Sequence, residues 1–219
     1  MKHLRDLVHG LDVSSILAEL EARPDLWNEY TLRTGGYVPV HNAVSDIWVR
    51  YRSWTEWLAI RAAWVNRARE LKDAGNEVDE LSAIQQFVGE PHESVWYPAI
   101  TALPSLRELI FDLMHSFQVE RLGGVLITRI PPGGEVKPHI DRGWHASYYE
   151  KIAVQLKSAP GQNFCFADGC FECEPGTVYA FDNSFQHWVE NKSDQERITC
   201  IVCVRRDSAL KPLSSGMGD

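Results

Sequence analysis

His139 and Asp141 stand two residues apart in Lys137-Pro138-His139-Ile140-Asp141, and His187 follows 48 positions after His139. Residues two apart on an extended strand point to the same side, so His139 and Asp141 can turn inward together. A third donor from a distant strand completes one triangular face of an octahedron. Two neutral imidazoles and one carboxylate suit Fe(II), and the opposite face stays open for O2 and substrates. The His-x-Asp pair alone is weak in a chain with eight histidines, because such residues on polar loops are more often solvated than ligating. His145 is a rival donor with poorer spacing from both.

Arg197 lies ten residues past His187, at the head of the last apolar run. Along a strand it shares a face with Thr199, Ile201 and Cys203. If that face is interior, the guanidinium needs an anionic partner, and a dicarboxylate held through a bidentate pair supplies one. The alternative is an edge arginine at a turn, beside Asp194 and Glu196.

Two textures of chain position these residues. Leu4, Leu7, Val8, Leu11, Ile16, Leu17 and Leu20 recur near 3.6 residues and predict a helix over 4–20. Residues 37–51 read as extended. Helical patterns follow over 56–72 and 77–88, and a third runs from Pro104 to about Phe117, with proline in the first turn where it is tolerated. After Gly123-Gly124 short β-rich runs succeed one another: 125–130, 136–139, 152–157, 163–166, 171–173, 177–182, 186–190 and 198–204. Turn signals such as Asp168-Gly169 and Pro175-Gly176 separate them. Eight short strands in succession suggest a double-sheet jelly roll. The expectation is a mainly β fold with flanking helices: a single domain over 1–219, with a mostly helical part over 1–122, a double-stranded β-helix (jelly-roll, cupin-like) core over 123–206 and a frayed tail over 207–219.

The 219 residues carry a net charge of −8, spread rather than massed in a tail. That argues against sequence-independent nucleic-acid binding, which needs a basic surface. No apolar run reaches membrane-spanning length, and the N-terminus lacks the unbroken core of a signal peptide, so a cytoplasmic location is expected. Five cysteines include Cys170-x-x-Cys173 and Cys200-x-x-Cys203. Both pairs fall in strand-like segments, where residues three apart point to opposite faces and do not easily share a zinc ion. Buried, reduced thiols are expected instead. His41, His92 and His115 have no paired partners and read as structural.

The run from Gly124 to Arg206 resembles the aspartyl/asparaginyl β-hydroxylase family of 2-oxoglutarate oxygenases, particularly its short bacterial and phage-type members. The resemblance rests on Ile130-Pro131-Pro132-Gly133-Gly134, Pro138-His139-Ile140-Asp141, the run Pro175-Gly176-Thr177-Val178-Tyr179-Ala180-Phe181-Asp182-Asn183, and His187 with Val189, Asn191 and Arg197. Looser similarity extends to residues 41–50 and 95–97; residues 52–92 are not covered. The resemblance implies a double-stranded β-helix with Fe(II) at His139, Asp141 and His187, and 2-oxoglutarate and O2 as cosubstrates. It further implies that Arg197 binds the distal carboxylate of 2-oxoglutarate, assisted by Thr128. Where the family often has Arg-x-His, this chain has Lys151 and Ala153, so Lys151 is a candidate cosubstrate contact without the bidentate fork. The implied reaction is hydroxylation of an amino acid, a peptidyl Asp or Asn, or another small molecule. Arg50, Arg142 and Trp144 are candidate substrate residues, the last in a Gly- and aromatic-rich loop suited to a lid. The competing readings are a non-catalytic ligand- or partner-binding barrel and a metal cupin that needs no cosubstrate.

Overall fold

The computed structural model describes residues 2–34, 39–41, 43–75 and 90–215. Eleven strands among these residues form two antiparallel sheets. Strands β1 (Leu4–Val8), β2 (Ser45–Arg52), β3 (Ser94–Trp96), β4 (Val119–Ile130), β6 (Glu150–Lys157), β9 (Val178–Phe181) and β11 (Arg197–Arg206) make a seven-stranded sheet in the order β1-β9-β6-β11-β4-β2-β3. Strands β5 (Glu135–His139), β7 (Gln162–Phe166), β8 (Gly169–Glu172) and β10 (His187–Asn191) make the second, in the order β5-β10-β7-β8. The helices are α1 (Ser14–Ala22), α2 (Trp54–Asp73), α3 (Ala99–Ala102), α4 (Pro104–Ser116) and α5 (Trp144–Tyr148). Among the described residues no helix is long and apolar enough to cross a membrane.

Side-chain alternation divides the large sheet into two faces. Ile198, Cys200, Val202 and Val204 of β11 join Val125 and Ile127 of β4 and Ile152 and Val154 of β6 in the main core, under Ile16 and Leu20 of α1 and Leu106, Ile110 and Leu113 of α4. Their neighbours Arg197, Thr199, Ile201 and Cys203 face a cavity of about 480 Å³ between the two sheets. A central strand covered on both sides must be apolar almost throughout, which is why 198–204 reads as a continuous run rather than an alternation.

The eight β runs expected after residue 123 all appear as strands, with ends moved by a few residues. Two expectations are overturned. Residues 4–20 do not form one helix: 4–8 is a strand on the sheet edge, pairing antiparallel with β9, and only 14–22 is helical. The part over 1–122 carries four of the five described helices and also supplies β1, β2 and β3 to the large sheet. The supposed tail folds back as far as it is described: Leu213 is buried in the main core and its amide donates to Glu150. The helix expected over 77–88 lies outside the described residues.

Gly123-Gly124, which looked like a boundary, sits inside β4. Cys203 of β11 stands opposite both glycines, because register passes from Val202↔Val125 to Val204↔Leu122. This bulge needs small residues for reasons of space. A Cβ on Gly123 would lie 2.9 Å from the Tyr149 ring, and one on Gly124 would lie 3.2 Å from Tyr51.

Candidate metal centre

His139 ends β5 and His187 begins β10, and the two are paired across the antiparallel ladder. Their rings lie 4.4 Å apart by centroid. Asp141 follows two residues after His139, its amide donating to the Asn183 carbonyl at 3.2 Å, so the turn after β5 is pinned to the loop before β10. The Asp141 carboxylate comes 3.5 Å from His139 Nε2 and 3.9 Å from His187 Nε2. One donor atom from each of the three residues falls within 4.8 Å of the others. Among the described residues this is the one such cluster of three or more.

Backbone carbonyls aim both rings. His139 Nδ1 meets the Lys137 carbonyl at 2.7 Å and His187 Nδ1 meets the Phe185 carbonyl at 2.9 Å. A carbonyl only accepts, so each Nδ1 carries the proton and each Nε2 lone pair is left for a metal. Phe164 stacks on the His187 ring at 5.6 Å, nearly parallel. Burial pushes the His187 imidazole down to about 4, so it is neutral at pH 7, the form that ligates. Burial also opposes ionisation of Asp141, but Lys151 and the two imidazoles outweigh it and hold the carboxyl well below its usual range. Two imidazole Nε2 atoms and an ionised carboxylate therefore converge on one point of the cavity wall. This donor set fits a divalent transition metal.

Arg197 lies in the same cavity and is only 4% exposed. It donates to Thr199 Oγ1 at 2.6 Å and to the Tyr179 hydroxyl at 3.2 Å. Among the described residues no carboxylate lies within ion-pair distance of it. Thr199 donates onward to Gln155, whose amide is fixed by the carbonyls of Lys157 and Ile198. The edge-arginine alternative is thereby removed.

The other sequence-derived candidates are placed differently from expectation. Thr128 is the ladder partner of Thr199 and lines the cavity, but its hydroxyl donates to Asp46 at 3.0 Å; the hydroxyl on Arg197 is that of Thr199. Lys151 lines the cavity with its ammonium against Asp141. Arg142 lines the cavity from its exposed side. Arg50 does not reach it. A bulge at Val49 puts Tyr51 on the cavity wall and Arg50 on the opposite side, over the Trp96 ring at 5.0 Å. Trp144 stacks on Tyr148 at 4.8 Å and lines a shallow outer groove instead. His145 stays outside the three-donor cluster.

Two charged residues were missed. Arg33 lines the cavity and pairs at 2.7 Å with Asp46, which is 1% exposed. Arg33 also meets His41 Nε2 at 3.3 Å, and the His41 ring stands edge-on to His139 at 5.6 Å. The only available signal was an aspartate just ahead of the apolar run Ile47-Trp48-Val49. The cysteines also differ from expectation: Cys165 and Cys170, directly opposed on β7 and β8, form a disulfide, while Cys173, Cys200 and Cys203 are free and buried.

The sequence pattern of the aspartyl/asparaginyl β-hydroxylase family matches residues 68–207, a span holding His139, Asp141, His187 and Arg197. The chain belongs to this family. Among curated proteins none matches it. Solved structures with a similar chain path include a prolyl-4-hydroxylase from Pseudomonas putida, at 14% identity, 95% coverage of each chain and a TM-score of 0.47. A viral collagen prolyl hydroxylase from Paramecium Bursaria Chlorella virus-1, in complex with 2OG, has 14% identity, coverage of 94% and 97%, and a TM-score of 0.45. A cupin domain from Bordetella pertussis shares 22% identity over 39% of this family member and 84% of its own chain, with a TM-score of 0.32. The family match, not these likenesses, carries the assignment.

Proposed function

We propose that the protein is an Fe(II)- and 2-oxoglutarate-dependent oxygenase that hydroxylates an unactivated C–H bond of a small-molecule or peptide substrate. One observation carries this reading: a three-donor face and a buried guanidinium with only neutral partners share a single cavity. A buried charge left without an anion costs several kcal/mol in general, so the Arg197 site suits a carboxylate that arrives from outside.

His139 and His187 would hold the metal through Nε2, and Asp141 through its carboxylate. Fe(II) with 2-oxoglutarate supplies the oxidation, in which the cosubstrate ends as succinate and CO2 and one oxygen atom enters the substrate. The chain's own residues position and shield. Arg197 would grip the cosubstrate carboxylate remote from the metal, its fork set by Thr199 and Tyr179. Phe164 and Phe181 give the wall an apolar surface that limits water near the donors. Lys151 keeps Asp141 ionised and oriented toward the imidazoles.

The test is turnover under Fe(II) and air, following succinate release from 2-oxoglutarate across amino acids, peptides and cell extract. Substrate-stimulated succinate that disappears in His187→Ala is the expected result. A non-catalytic barrel or a cosubstrate-independent cupin would leave 2-oxoglutarate untouched, and anaerobic Fe(II) binding unchanged by His187→Ala would overturn the ligand assignment.

A further inference from the structure

His92 and His145 line the same cavity, and His92 also borders the outer groove with Trp144 and Tyr148. They therefore stand where cavity and groove meet. Their rings are stacked at 5.3 Å with only 10° between planes. Neither belongs to the metal cluster, and neither has a role in the chemistry described above.

The Gly124 amide sets the tautomer of His145, and the Arg52 contact sets that of His92 against the Glu90 carbonyl, which alone would call for the opposite one. The Gly124 amide, at the β4 bulge, donates to His145 Nε2 at 3.3 Å. An amide N–H only donates, so the proton of a neutral His145 sits on Nδ1. The Arg52 guanidinium lies 2.9 Å from His92 Nδ1. A guanidinium has no acceptor, so Nδ1 accepts and the His92 proton sits on Nε2. The Glu90 carbonyl near Nδ1, at 3.0 Å, is also approached by the same guanidinium at 3.4 Å, which satisfies both acceptors. Burial drives both imidazoles below their ordinary range, His145 to about 3. Both stay neutral across the physiological range, as two parallel stacked rings require.

Among the described residues, each ring then keeps one N–H donor that no acceptor takes up. His92 Nε2 is buried and has no hydrogen-bond partner among the described residues. Among the described residues no acceptor meets His145 Nδ1 either. An unsatisfied buried donor costs about 1–3 kcal/mol, and natural structures rarely keep one without a ligand or water to meet it. Arg52 behind His92 and Arg142 on the cavity lining bring two cations to this corner, with Glu56 and Glu93 on its groove side.

We propose that His92 and His145 form a substrate-recognition pair, two neutral N–H donors that receive an acceptor-only oxygen group, a carboxylate in the first instance. The proposal deepens the oxygenase reading and rests on it only for the word substrate. It makes the pair specificity-determining: a ligand presenting an ammonium or other donor there would face two donors and no acceptor.

The test uses metal-free full-length protein labelled with 15N at histidine, so its outcome is independent of iron binding and of turnover. Long-range 1H–15N correlation at pH 7 should show His145 as the Nδ1–H tautomer and His92 as the Nε2–H tautomer. Sodium acetate should shift both protonated nitrogens along a saturating curve. The response should persist in Arg197→Met, which removes the competing carboxylate site, and the apparent acetate affinity should fall about tenfold in His92→Phe or His145→Phe, roughly one hydrogen bond's worth. Acetamide run in parallel separates a charged group from a neutral carbonyl: saturation by either supports the donor pair. The opposite tautomers in the unmutated protein, or rings that respond to neither probe, would overturn it.

Discussion

The Lys151 ammonium rests against the Asp141 carboxylate, reaching from the large sheet to the turn that carries two of the three metal donors. Both groups are about one-fifth exposed. Burial works against each charge, yet Asp141 raises Lys151 and Lys151 lowers Asp141, so the two directions agree. Lys151 is thus the resident counter-cation of a carboxylate that a divalent ion would otherwise neutralise. Lys151→Met should destabilise the metal-free protein by about 3 kcal/mol, the general cost of breaking a buried pair. Added Zn(II) or Co(II) should restore most of that loss. Urea unfolding with and without metal measures both; equal midpoints for wild type and variant without metal would refute the role.

Arg197 carries the converse expectation. Its partners are neutral, so Arg197→Met should not lower the melting temperature of the ligand-free protein. Wild type should gain about 2.7 kcal/mol of apparent stability in 2-oxoglutarate at 100 times its Kd. The variant should gain none at the same concentration. Differential scanning calorimetry of the metal-loaded proteins reads this, and an undiminished upward shift in Arg197→Met would show that the cosubstrate is held elsewhere.

Gly176 has φ +80°, and a Cβ there would collide with the Leu11 backbone. The two residues are joined by the Leu11 amide donating to the Gly176 carbonyl at 3.1 Å. Gly176→Ala combines a left-handed conformation with a backbone clash and should cost about 2–4 kcal/mol. Chemical denaturation gives the value, and a change below about 0.5 kcal/mol would contradict the packing of residues 9–13 against the turn before β9.

Buried thiols should be inert in the folded state. Burial pushes Cys173 and Cys200 up to about 12 and Cys203 up to about 11. A raised thiol value means less thiolate at a given pH: at pH 8 an ordinary cysteine is ionised to roughly a quarter, whereas a group near 11 is ionised to about one part in a thousand. Reaction with a thiol reagent at pH 8 should therefore await unfolding, and then count three thiols without reductant and five with it, matching the free and bridged cysteines. Fast labelling of native protein would show that these side chains open to solvent.

The strands and the three-donor set were legible because both follow from local rules: period-two patterning, turn residues, and a His-x-Asp pair on one strand. Arg33 and Asp46 were not, since their pairing depends on residues 13 apart meeting only once β2 has docked on β4. The helix expected over 4–20 failed for a related reason. Leu4, Leu7 and Val8 suit a helix by spacing, but the free edge of β9 offers backbone partners that an isolated segment lacks, and tertiary pairing overrides propensity. His92 was set aside as structural because a sequence cannot show which ring nitrogen a distant guanidinium will hold.

Pairing of β1 with β9 joins residues 4–8 to residues 178–181. During synthesis at the ribosome, β1 must wait for residues 9–177 to follow before its partner exists. Loop closure over that distance is slow, and until it occurs the backbone edge beside Lys151 and Phe181 stands open to other nascent chains. Aggregation during expression should therefore be governed by how long this edge goes uncovered, and supplying residues 2–9 as a peptide in trans to a truncated chain would shorten that exposure.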